Sequence, residues 1–230
     1  MIESFILLLW WVLFGGSHML MSSPSLRPKL VSRLGERGFL GLYSLIAIAT
    51  LVPLCMYYGE HKHAGPQFWV TFGPYLVARD LNLLLMLLAF ALLASGLAAR
   101  PPSSMLTSGE PEAYGITRIT RHPTFASFFV FGLAHCFMNG TLADLTFFGG
   151  LAAFAWLGAR HQDERKRADI PGYAEFQTVT SFMPFGAILN RRQPFPSGEL
   201  RWGIIIISLI SFYLVRSFHP GLFGGILMTF

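Results

Sequence analysis

Six apolar runs, each close to the length a lipid bilayer demands, divide this chain, and no soluble fold buries so many. They cover residues 2–21, 39–58, 81–99, 123–138, 142–159 and 202–218. A helix rises about 1.5 Å per residue, so roughly 20 apolar residues cross the hydrocarbon core. Backbone groups in lipid must be satisfied within the segment, which makes each run a helix. The chain is 53% hydrophobic and only 13% charged, where soluble domains carry about 25% charged residues. The pattern predicts an all-α integral membrane protein: about six transmembrane helices in one bundle, a single domain over residues 1–230.

Only Asn139-Gly140-Thr141 separates the fourth and fifth runs, which predicts a tight helical hairpin. Thr141 with Asp144 fits a capping box, so Asp144 reads as a helix cap rather than a catalytic acid. Cations set the orientation. The loops after the odd runs hold Arg27, Lys29, Arg33 and Arg37, then Arg100, Arg118 and Arg121, then Arg160, Arg165, Lys166, Arg167, Arg191, Arg192 and Arg201. The other side holds Lys62 and Arg79. Positive charge collects on the cytoplasmic side, so both termini are expected outside the cytoplasm. The same asymmetry accounts for the net charge of +5 without a nucleic-acid partner.

The loops carry smaller expectations. Residues 101–114 read as a loop. Residues 163–184 place Tyr173, Phe176, Phe182 and Met183 among charges, which predicts a short amphipathic segment on the cytoplasmic membrane face. Glu36 is expected to pair with Arg33 or Arg37, and His61 and His63 to be solvated. Cys55 and Cys136 fall in apolar runs and form no disulfide framework.

Ionisable groups inside a membrane span default to function. His18 ends the first run in Gly16-Ser17-His18-Met19, an order that expression tags leave behind, but the apolar run preceding it marks it as native. His122 opens the fourth run, and His135 lies near its other end. Thirteen residues put these two some 140° apart around a straight helix and about 20 Å apart along it. One small ligand cannot touch both. His135 shares a face with Phe128, Phe131 and Gly132. Either Gly132 leaves a slot for a flat group such as haem, with neutral imidazole on iron, or it permits close helix packing. Periodicity by itself favours packing.

Two blocks carry a resemblance. SHMLMSSPSLRPKLVSRLGERGFLGLYSLIAI and TRHPTFASFFVFGLAHCFMNGTLADLTFFGG resemble, in the same order, the histidine-bearing blocks of the NnrU family. That family includes plant haem b isomerases of a cis polyene, and its bacterial members are associated with nitrogen-oxide metabolism. The resemblance implies haem b, axial ligands at His18 and His135, and an apolar substrate in a bacterial inner membrane, surrounded by lipid. His122 remains the alternative second ligand because its depth matches His18 better. Arg118 and Arg121 would then pair with the haem propionates. The plant isomerases carry a cysteine where this chain has Gly132, so a cysteine-linked ligand switch is not implied.

A second resemblance joins RHPTFAS to DERKRADIPGYAEFQTVTSFMPF. It is similar to the isoprenylcysteine methyltransferase superfamily, and implies S-adenosylmethionine held by His122, Glu164, Tyr173, Phe176 and Pro184. Phe125 and Ser127 stand where that superfamily has tyrosine and glycine.

Overall fold

A computed structural model describes residues 1–99 and 111–223. Its elements are α1 (Ile2–Met21), α2 (Arg27–Glu60), α3 (Tyr75–Ala99), α4 (Ile116–Ile119), α5 (Pro123–Met138), α6 (Leu142–Asp169), α7 (Tyr173–Val179), α8 (Gly186–Leu189) and α9 (Trp202–Phe223). Among the described residues the only β pairing is an isolated bridge between Gln67 and Thr141. Arg100 and most of the expected loop at 101–114 lie outside the described residues.

The long helices pack in the order α2, α1, α6, α5, α3, α9. The two helices at the ends of this row, α2 and α9, bury the least of themselves and turn Leu45, Ile48, Val52, Ile206, Ile207 and Ile210 outward. Such surfaces are stable against lipid and costly against water. The protein is an integral membrane protein. Five of its helices, α1, α2, α3, α6 and α9, are long and apolar enough to cross a membrane. The sixth expected span, α5, has 16 residues and reaches only about 24 Å. It sits between α3 and α6, with Pro123 and Met138 at its two ends buried, so its neighbours shield its ends.

Glycine sets the closest contacts. A Cβ on Gly132 would come within 2.5 Å of the Phe148 carbonyl oxygen and 3.1 Å of the Ala152 nitrogen. The α6 backbone therefore fills the space beside Gly132: of the two readings of this glycine, the close helix packing that periodicity favours holds, and no slot for a flat group opens there. On another face of α6, a Cβ on Gly150 would meet the Trp11 indole at 2.3 Å, so α1 also lies close.

Two boundaries differ most from the sequence expectation, while α3 starts six residues before the expected 81 and α9 runs five beyond the expected 218. The fifth run continues ten residues as helix beyond 159, because 160–169 contains no breaker; Pro171 follows the end and disfavours helix at Ile170. The expected amphipathic segment 163–184 is thus split between the last turns of α6, helix α7 and tight turns. The second helix begins at Arg27 and breaks at Gly35, whose φ of 70° lies in the left-handed region that glycine tolerates. That break folds Glu36 back onto Arg27 at 2.6 Å, rather than onto Arg33 or Arg37.

Candidate functional site

His18 and His135 border one aromatic cluster. The His18 ring packs on Phe14 at 4.4 Å, Tyr43 at 4.7 Å and Phe154 at 5.7 Å. His135 packs on Phe131 at 4.2 Å and stacks on Phe148 at 4.3 Å. Phe148 and Phe154 both belong to α6, about 9 Å apart along it and 120° apart around it. Leu151 lies midway between them and packs on the same cluster, with Ala47, Leu54 and Tyr58 of α2. Ring contacts run from Phe154 through Trp11 (6.1 Å) and Phe147 (6.1 Å) to Phe148 (5.2 Å). The two imidazoles are thus joined by aromatic surface on either side of Leu151.

The protonation pattern of this pair follows from the backbone. Each Nδ1–H donates to the carbonyl four residues back: His18 to Phe14 O at 3.1 Å, His135 to Phe131 O at 3.0 Å. Fixing the proton on Nδ1 leaves each Nε2 as a lone-pair acceptor, the form in which imidazole binds a metal. The donor chemistry therefore fits axial ligation of haem iron. Among the described residues no cluster of three or more His, Cys, Asp and Glu side chains could hold a metal by itself. A bis-imidazole porphyrin site needs only two protein donors.

A second group of the named residues converges where α5 begins. His122 is 2% exposed, and its Nε2–H donates to Asp163 Oδ1 at 2.6 Å. Arg121 donates to Asp163 through Nε at 3.0 Å and Nη2 at 2.7 Å. Tyr173 Oη–H adds 2.9 Å to Asp163 Oδ1. Burial, with the Asp163 carboxylate beside it, pushes the Tyr173 hydroxyl up, so it stays protonated. Burial holds His122 below the ordinary imidazole value, against the opposing pull of Asp163. Arg118 is taken up elsewhere, by Glu199 at 2.8 Å and by Gln193. The structure brings neither Arg118, Arg121 nor His122 to His18 or His135.

Sequence reading missed Asp163 as the hub of this group. The acid lies 42 residues from Arg121. Its signal was present only as the first of two acidic residues in the DERKR stretch.

The far side holds a third group. Asp144 caps α6 with Thr141, whose side chain accepts from the Asp144 N–H. Asp144 is also fully buried and accepts from Tyr58 Oη at 2.8 Å, Thr141 Oγ1 at 2.7 Å and His63 Nδ1 at 2.8 Å. His63 is therefore a hydrogen-bond donor to Asp144 rather than merely solvated, and His61 stacks on Tyr57 at 4.1 Å.

Fold and site together define an all-helical integral membrane protein with two imidazoles, on different helices, set against aromatic side chains between its helices. The chain belongs to the NnrU family: the family profile, described as NnrU protein, matches residues 6–225. It is 29% identical over 203 residues to the 15-cis-zeta-carotene isomerase, chloroplastic, of Zea mays, covering 83% of this chain and 52% of that one. It is 28% identical over 174 residues to the protein of the same name from Arabidopsis thaliana, covering 71% and 45%. The chain spans about half the length of these curated relatives. No solved structure matches it.

Proposed function

We propose that this chain is a haem b-dependent isomerase that interconverts cis and trans forms of an apolar, polyene-like substrate inside the membrane. The observation that carries the reading is the His18–His135 pair, each ring fixed at Nδ1, each Nε2 left as acceptor, both against one aromatic cluster. The isomerase names of the plant relatives support it. Haem iron supplies a Lewis-acidic, redox-active centre able to draw electron density from a conjugated double bond.

The chain's own residues do the rest. Phe14, Phe131, Phe147, Phe148, Leu151 and Phe154 offer a water-poor apolar wall to which a polyene binds by area burial. The lipid-facing flanks of α2 admit such a substrate from the bilayer rather than from water. The Phe14 and Phe131 carbonyls hold the two rings in orientation. We place the protein in a bacterial inner membrane, with the arginine-rich loops in the cytoplasm by the positive-inside rule.

The test is the absorption spectrum of the detergent-purified protein, oxidised and reduced, with and without added hemin. A low-spin, bis-imidazole spectrum is expected. The alternative is S-adenosylmethionine-dependent methyl transfer, favoured by the convergence of His122 and Tyr173 on Asp163. A protein that carries no haem and ignores hemin, yet binds S-adenosylhomocysteine in calorimetry, decides for methyl transfer.

A further inference from the structure

We infer that the cleft between the last turns of α6 and helix α7 binds a phosphate group, carried either by an anionic lipid headgroup or by a free phosphate ester. Arg160, Asp163, Glu164 and Arg167 recur along α6 at i, i+3, i+4 and i+7, which places them on one face. With Arg121 and Gln177 they line an open cavity of about 390 Å³. This face lies about 170° around α6 from Leu151, so the cleft is separate from the histidine site.

The charge balance favours an anion. Asp163 is engaged by Arg121, His122 and Tyr173, and its charge is matched by the Arg121 guanidinium. Among the described residues that line the cleft, Arg160 and Arg167 then face Glu164 alone, a surplus of one positive charge. Among the described residues the Arg160 side chain makes no hydrogen bond or ion pair. Arg167 gives only its Nε–H, to Gln177 Oε1 at 2.9 Å, which leaves both of its terminal amino groups open. Guanidinium forks match phosphate oxygens in a bidentate way. The arginine face starts directly after the apolar run of α6, at the depth where headgroup phosphates lie.

The experiment titrates three probes into the purified full-length chain in maltoside detergent: phosphatidylglycerol, inorganic phosphate, and diacylglycerol, which lacks the phosphate. Unfolding midpoint and native mass spectrometry report binding. Phosphatidylglycerol or inorganic phosphate is expected to stabilise the protein, and diacylglycerol to have no effect. A response to the lipid alone assigns a headgroup as the source; a response to inorganic phosphate assigns a free ester. The double variant Arg160→Gln, Arg167→Gln is expected to bind at least tenfold more weakly, with an unchanged unfolding midpoint when no phosphate probe is present. Glu164→Gln is expected to bind several-fold more tightly. No binding of either phosphate probe overturns the inference, as does binding that the arginine substitutions leave intact or that diacylglycerol reproduces.

Discussion

His18 and His135 are joined through Phe154 and Phe148, two phenylalanines six residues apart on α6, with Leu151 midway between them. His122 is tied instead to Asp163, at the other end of α5 from His135. His18→Ala and His135→Ala are each expected to lose the low-spin spectrum and to bind hemin at least tenfold more weakly. His122→Gln is expected to keep both. Measured hemin affinity in detergent separates the cases, and equal losses in all three variants would falsify the assignment.

Position of His135 depends on how closely α5 approaches α6. At Gly132 the first obstacle to a Cβ is backbone, the Phe148 carbonyl oxygen at 2.5 Å. Backbone cannot rotate aside, so Gly132→Ala must move one helix. The expected cost is about 1–3 kcal/mol, read as a drop in unfolding midpoint, together with weaker hemin binding. Gly149 on α6 meets nothing within 4 Å. Gly149→Ala is expected to leave hemin affinity unchanged and to raise stability by up to about 1 kcal/mol through helix propensity. Comparable losses at both glycines would argue against the packing account.

These contacts mark where sequence reading stops. Apolar runs revealed, among the described residues, the five helices long and apolar enough to cross a membrane and the shorter α5, because hydrophobic length is a local property, and Thr141 with Asp144 revealed the turn into α6 for the same reason. The end of α6 was hidden because charge looks like a boundary, although charged residues continue a helix well. Glu36 was assigned to a near neighbour because the φ of Gly35, which turns it toward Arg27, leaves no trace in residue order. Asp163 and His63 were missed for a third reason. Their partners, His122 and Asp144, stand 41 and 81 residues away in sequence, so only folding reveals the pairs. His18 and His135 were legible as residues, but their shared contact with α6 was not.

Asp144 is buried with three side-chain donors, one of them the Tyr58 hydroxyl at 2.8 Å. Tyr58 also stacks on Phe147 at 3.9 Å. Tyr58→Phe keeps that stacking and removes one donor from a buried carboxylate. Leaving an acceptor short of a partner costs about 1–3 kcal/mol, equivalent to a midpoint several degrees lower in a chain of this size. Thermal unfolding in detergent measures it. A midpoint unchanged within a degree would mean that water replaces the hydroxyl there.

His122 makes stability depend on pH. Its Nδ1 is buried without a hydrogen-bond partner, and Phe125 and Phe182 pack around the ring. Its one polar bond runs from Nε2 to Asp163, whose charge Arg121 already neutralises. A second proton would therefore bring an unsatisfied charge into an apolar space, which is why burial holds its pKa below the ordinary 6.5. The unfolded chain takes up that proton near 6.5, before the folded one does. Below that pH the unfolded state binds more protons, so stability falls as pH drops. Above it the contribution is fully present. His122→Gln can still donate to Asp163 but cannot titrate. Its unfolding midpoint should decline less than that of the wild type between about pH 7 and 5. Parallel declines in the two proteins would place the titrating group elsewhere.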